Sequence, residues 1–301
     1  MHVKVRALLP RATPGAARLA TTWNEPVTDI SVRFWGTRGS VACAGRETER
    51  YGGNTSCVEV RCGDRLFIFD AGTGLRLLGN ALVESASPVE ADIFLSHCHL
   101  DHISGLPFFA PCYRASSRLR LWAGNLLPEF ELEQVLGMLI AEPFFPAGVA
   151  ILAAGIEFQD FRVGDLLRPH DAVTLRTAPL NHPGRATGYR LDHDGRSIAY
   201  VTDTEHCPGR LDQNVLGLAK GVDLLIYDSS YTDEEFPARI GRGHSTWQEG
   251  VRIAEAAGAR TLAIFHHDPE HDDRFLDRVA AEAAAMRPGT IVAADGMTLA
   301  I

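Results

Sequence analysis

His97, His99, Asp101 and His102 fall within one short run, SHCHLDHISGL at 96–106. Imidazoles and carboxylates are the side chains that bind borderline divalent cations, and a segment that leaves a strand and turns can converge residues i and i+2 on one ion. His97 and His99 can therefore share one ion while Asp101 and His102 turn toward another. A chance surface run of this density is the weaker reading. Two ions a few ångströms apart would lower the pKa of a shared water to near neutrality and clamp phosphoryl oxygens as charge develops.

Further candidates close later apolar runs or follow them. His182 lies in PLNHPG, Asp203 ends SIAYVTD, His244 lies in GRGHST, and His266 ends RTLAIFH with His267 beside it. Each alone reads as a capping or hydrogen-bonded polar residue. Together they weigh more, because the strand ends at one edge of a layered α/β sheet are where ligands gather. Asp70, in FIFDAGTG, reads as a turn former before Gly72 and Gly74 or, equally, as the carboxylate beneath a ligand. His170, His193, His206 and His271 read as solvated loop residues, with Glu205 and His206 within sequence reach of the site rim.

The elements that must position these side chains are short β-branched and aromatic runs. SVRFW (31–35), CVEVR (57–61), RLFIFD (65–70) and ADIFLS (91–96) predict a first series of strands. A second series follows at 172–178, 186–192, 197–203, 222–228, 260–266 and 290–295. Several are apolar on both faces, which predicts sheets covered by other layers. Helices are predicted at 129–142, after a Thr246–Glu249 capping box and up to Gly258, and after Asp272 or Asp273 up to Pro288. Residues 104–168, rich in proline and aromatics, read as an inserted lid. Residues 1–29 read as a flexible extension, and 30–301 as a single domain.

Composition excludes several classes. With 301 residues, 46% hydrophobic and 22% charged, the chain is an ordinary globular one. Its 29 Lys and Arg against 38 Asp and Glu give −9, with no basic stripe for extended nucleic acid. No apolar run approaches the roughly 20 residues of a membrane span. Six cysteines without a CxxC pair indicate reduced thiols and a cytoplasmic protein.

The order HxHxDH, His, Asp, His, preceded by FIFDAGTG, resembles the metallo-β-lactamase fold superfamily. RFWGTRGS (33–40), YGGNTSCVEV (51–60) and GHSTWQEGVRIAEAAGARTLAIFHHDP (243–269) resemble the branch holding ribonuclease Z, phosphoribosyl cyclic phosphodiesterase and class II cyclic-nucleotide phosphodiesterase-like proteins. The resemblance implies an α/β fold, a four-layered αββα sandwich with an inserted lid segment. It implies two divalent ions, zinc first and manganese or iron as alternatives. His97, His99 and His182 would hold one, Asp101, His102 and His266 the other, and Asp203 would bridge them. It also implies that His244 faces the scissile phosphate and is oriented by an acid, with Asp228 standing where ribonuclease Z has glutamate.

The function these features favour is a metal-dependent hydrolase: a phosphodiesterase on a small or cyclic phosphodiester, working through a hydroxide shared by the two ions. Asp101 would steer its proton and His244 would assist the leaving oxygen. Only residues 183–202 separate His182 from Asp203, too few for a tRNA-grasping arm, so a tRNA 3′-processing endonuclease is the weaker reading. The alternatives are a carboxyl-ester, lactone or thioester hydrolase with the same metals, and a non-catalytic metal sensor. The expected partners are the small substrate and a second copy of the chain, with neither membrane nor long nucleic acid.

Overall fold

The computed structural model describes residues 30–84, 87–146 and 152–301; the expected extension at 1–29 lies outside them. The chain opens with strands β1 (Ile30–Gly36), β2 (Cys57–Cys62) and β3 (Arg65–Phe69), then helix α1 (Gly74–Glu84), strand β4 (Glu90–Leu95) and the short turn α2 (Leu100–Ile103). Strand β5 (Arg118–Ala123), helix α3 (Leu132–Leu139) and strands β6 (Gly155–Asp160), β7 (Leu166–His170), β8 (Val173–Leu180), β9 (Ala186–His193) and β10 (Arg196–Val201) follow. The chain closes with α4 (Gln213–Ala219), β11 (Leu224–Asp228), α5 (Trp247–Ala257), β12 (Thr261–Phe265), α6 (Asp273–Met286), β13 (Thr290–Val292) and β14 (Thr298–Ala300).

The strands form two seven-stranded sheets, ordered β14-β1-β2-β3-β4-β5-β6 and β13-β12-β11-β10-β9-β8-β7. Both are mixed: β3 to β6 run parallel, as do β10 to β13, and the remaining pairs are antiparallel. The alternation of side chains along each strand explains why they are apolar on both faces. Phe67 and Phe69 of the first sheet meet Tyr189, Tyr200 and Phe265 of the second in an inner core. The intervening residues Leu66, Ile68, Ile93 and Leu121 face outward onto Leu75 and Leu78 of α1 and Leu132 and Leu136 of α3. On the other side Val201, Leu225, Leu262 and Ile264 pack against α4, α5 and α6. The result is the four-layered αββα sandwich. No helix among the described residues is long and apolar enough to cross a membrane.

The helix ends follow the residues expected to cap them. Asp272 accepts from the Phe275 amide at 2.7 Å, and Gly258 ends α5 in the left-handed region at φ 68°. Thr246 accepts from the Glu249 amide at 3.0 Å; the Glu249 carboxylate, expected to complete a capping box, instead meets Arg252 at 2.6 Å.

The segment 104–168 is less irregular than its composition predicts. It carries β5 and β6, which pair parallel beyond β4 and complete the first sheet. Among the described residues the stretches outside regular sheet are therefore 104–117, 124–146, 152–154 and 161–165, with α3 inside the second. Arginines mask the strand in RLRLWA, yet Arg120 lies along the sheet and binds the buried Asp92 carboxylate at 2.7 Å. The adjacent Phe108 and Phe109 divide: Phe109 is buried in the outer core, while Phe108 is exposed and meets Phe145 edge-on.

Candidate metal centre

The site lies where β3, β4, β8, β10, β11 and β12 end. Three non-glycine residues at its strand ends adopt the left-handed conformation: Asp70 (φ 60°), Asp203 (φ 58°) and His266 (φ 63°). Each such residue costs on the order of 1–3 kcal/mol and persists where its surroundings fix it. Here each reversal falls within two residues of the end of a strand: β3 for Asp70, β10 for Asp203 and β12 for His266. Gly39 in GTRGS explains one glycine of the motif, since a Cβ there would stand 2.3 Å from the His266 ring.

The predicted residues fall into overlapping groups. The ligand atoms of His97, His99 and His182 lie within 4.8 Å of one another, as do those of Asp101, His102 and His266. Asp203 lies between the groups, with Oδ1 3.8 Å from His97 and 3.7 Å from His182, and Oδ2 3.2 Å from His102 and 3.3 Å from His266. Cys98, between His97 and His99 in sequence, packs against the outer core instead.

Hydrogen bonds fix which ring nitrogen is free. The Gly243 carbonyl can only accept, so His182 donates to it from Nδ1 at 2.8 Å. His102 Nδ1 donates to Asp70 at 2.7 Å. Ser96 Oγ–H is committed to Asp70 at 2.8 Å, so Ser96 Oγ accepts from His97 Nδ1 at 3.1 Å. Ser230 Oγ, donating to Asp228 at 2.8 Å, likewise accepts from His266 Nδ1 at 3.1 Å. In the neutral form of each ring Nε2 is the nitrogen left free, and Nε2 of His97, His102 and His266 is buried without a hydrogen-bond partner. His99 turns its Nδ1 inward instead, 3.1 Å from His182 Nε2. Buried lone pairs converging beside two carboxylates fit a divalent-cation centre, with the outer nitrogens oriented as metal-binding histidines are.

Electrostatics agree. Burial holds His97 and His182 below the usual imidazole range, so both are neutral. His102 is buried too, but Asp203, Asp101 and Asp70 overcome that and hold it well above the usual range. Three carboxylates around one imidazole make a nest of negative charge suited to a cation. Against burial, His266 and His102 hold Asp203 well below the usual carboxylate range.

His244 stands beside this cluster, its ring 5.0 Å from that of His266 and 5.3 Å from that of His182. Its Nδ1 donates to Asp228 Oδ2 at 2.9 Å. The aspartate therefore reaches where the resemblance offered a longer glutamate. Burial opposes the charged form of His244, but Asp228, followed by Asp203 and Asp101, raises it to about 9.

Several residues that hold the site had no signal strong enough to single them out. The Ser40 amide donates to Asp101 Oδ2 at 2.7 Å, Tyr200 OH donates to Asp70 at 2.7 Å, and Ser96 and Ser230 orient histidines as above. Ser96 and Ser230 are ordinary serines in sequence; their roles come from neighbours dozens of residues away. The four histidines read as solvated are each held by a partner, His193 by the Ala172 carbonyl at 3.0 Å. His170 binds the buried Asp92 at 3.1 Å, His206 binds Ser245 at 2.8 Å, and His271 binds Glu235 at 2.9 Å while stacking on Phe275. Their loops pack down on the sandwich rather than standing in water.

Fold and centre together define an αββα protein with a composite His/Asp centre at the strand ends, the architecture of a metal-dependent hydrolase. The β-lactamase superfamily domain matches residues 65–267, and the chain belongs to that superfamily. It is 28% identical to ribonuclease BN of Citrobacter koseri, over 76% of this chain and 87% of that one. It is 26% identical to ribonuclease Z of a Synechococcus species, over 88% of this chain and 97% of that one. A diphosphatase of the PhnP family shares the fold with a TM-score of 0.67 at 20% identity, over 91% of this chain and 97% of that one.

Proposed function

We propose that the protein is a dinuclear metal-dependent phosphodiesterase acting on a small or cyclic phosphodiester. The observation that supports this most is His244: with Nδ1 committed to Asp228, its other nitrogen is left for a substrate beside the His/Asp cluster. Two divalent ions, zinc by preference of an imidazole-rich set and manganese or iron otherwise, supply a Lewis acid for phosphoryl oxygens and a nucleophile from water at neutral pH. His97, His99 and His182 would hold one, Asp101, His102 and His266 the other, with Asp203 shared.

The remaining roles belong to the chain. His244 holds a proton for the leaving oxygen, and Asp228 keeps the ring oriented. Asp101, fixed by the Ser40 amide, can accept a proton beside the ligand set. The stretches at 104–117 and 124–146 are the candidate cover. A small substrate is favoured because the interval between His182 and Asp203 is taken up by the β9–β10 hairpin and because the chain carries −9. A cytoplasmic homodimer belongs to the same reading, with the exposed Phe130, Met138 and Phe144 as apolar surface for it; light scattering tests the dimer.

The names of the ribonuclease relatives favour a second reading, cleavage of RNA. Initial rates of metal-loaded protein on bis(p-nitrophenyl) phosphate, cyclic nucleotides, a precursor tRNA, p-nitrophenyl acetate and a lactone decide between them. Turnover of the diesters, lost in His97→Ala and His244→Ala, with RNA and esters left intact, is the expected result. Faster cleavage of RNA or of the carboxyl esters would overturn the small-phosphodiester reading.

A further inference from the structure

We propose that Glu205 is a positioning residue for the His97–His99–His182 group, acting through the backbone of the 241–243 turn; the inference rests on the reading of that group as a metal site. Glu205 lies two residues beyond Asp203, and its backbone is pinned to Asn181, the residue before His182. The Glu205 amide donates to the Asn181 carbonyl at 2.8 Å, and Asn181 Nδ2 donates back to the Glu205 carbonyl at 2.8 Å. From this anchored position a single carboxylate oxygen, Oε2, accepts from the amides of Gly241 at 2.7 Å and Gly243 at 2.9 Å. The Gly243 carbonyl in turn accepts from His182 Nδ1.

The chain of contacts runs from carboxylate to amide, along one peptide residue, and from carbonyl to imidazole. Its consequence is chemical: a fixed carbonyl holds the His182 proton on Nδ1 and keeps the Nε2 lone pair turned to His99 and Asp203. The turn has no room to relax toward the ring, because Gly243 sits at φ 84° with its missing Cβ 2.3 Å from His182 Nδ1. His244 follows directly, so the same clamp sets where the segment carrying it enters the site.

Cobalt(II) titration of the metal-free full-length protein, followed by its visible absorption, tests this without any turnover assay. Wild type is expected to take up two equivalents. Glu205→Ala is expected to bind one of them about ten-fold more weakly, the usual range for losing a group that orients a ligand, and to leave the other unchanged. Glu205→Gln keeps an oxygen able to accept both amides and should recover most of the affinity. Glu205→Asp keeps the charge but falls one methylene short, and should resemble alanine.

Circular dichroism melts establish that each variant is folded, and the Gln–Asp contrast still decides the matter if alanine does not fold. Two equivalents bound by all three variants as by wild type would overturn the clamp. Recovery by Asp but not by Gln would replace it with a simple charge effect. A wild type that binds no cobalt would instead overturn the metal-site reading itself.

Discussion

The two sheets contribute to the centre in opposite ways. The first supplies His97, His99, Asp101 and His102 from one run after a single strand, β4, and supports them largely through one carboxylate. Asp70 accepts from the Ser96 amide, Ser96 Oγ, His102 Nδ1 and the hydroxyl of Tyr200, which reaches across from the second sheet. The second sheet supplies His182, Asp203, Asp228 and His266 from the ends of four strands, and their supports are spread over Ser230, the Gly243 carbonyl and Asp228. A concentrated half and a distributed half therefore meet at Asp203. The concentrated half should fail sharply when its hub is removed, and the distributed half should fail in steps.

Asp203 is the test of whether the halves form one centre, since it approaches histidines from both. Asp203→Ala should lower kcat/KM on the diester by about four orders of magnitude, several kcal/mol of transition-state stabilisation. It should also weaken both metal equivalents. Loss of only one equivalent by atomic absorption would mean that the halves work independently. Next in size, His244→Ala should reduce kcat by about 10³-fold while leaving metal content at the wild-type value, because its proposed role is with the proton and not with the ion. A fall in metal content would turn His244 into a ligand, as its place in two of the possible metal groups allows.

The supports themselves carry the contrast. Asp70→Asn replaces an acceptor of several buried donors and should weaken metal binding by roughly 100-fold, the upper end for an orienting group. It should also cost about 3 kcal/mol of stability from unpaired buried donors, chiefly the Tyr200 hydroxyl. Ser230→Ala, its counterpart under His266, should weaken binding by about 10-fold, because Asp228 keeps its bonds to the Ser230 amide, Thr204 and His244. Equal losses in isothermal titration would erase the distinction between hub and distributed support.

The same contrast decides what could be read from sequence. The concentrated half is legible because its ligands share one motif and its strands are uninterrupted apolar runs. Each member of the distributed half is legible only with the others, and only the resemblance assigned them to groups. Asp228 could be named but its reach could not, since that depends on how closely β11 approaches the loop before α5. Ser96, Ser230, Tyr200 and the Ser40 amide carry no sequence pattern, because each works through a residue that folding alone brings near. Strands β5 and β6 were hidden for a different reason. The arginines of β5 and the glutamate of β6 break the apolar alternation, and cross-strand pairs such as Arg120–Asp92 restore the burial afterwards.

The smallest effect belongs where neither half of the centre is touched. Asp272 caps α6, which packs Leu276, Val279 and Ala283 against the outer face of the second sheet. Asp272→Ala leaves the Phe275 amide without its acceptor and should cost about 1 kcal/mol, near 2 °C in melting temperature for a chain of this size. Metal affinity and kcat should stay at wild-type values, because the Asp272 carboxylate bonds the Phe275 amide while Asp273 and Asp277 keep the contacts of α6 to Arg50 and Tyr51. A cap loss that also weakened metal binding would show that the distributed half depends on its outer helices as well as its strand ends. The ligand geometry would then belong to the whole layer, and the difference between the halves would be one of extent alone.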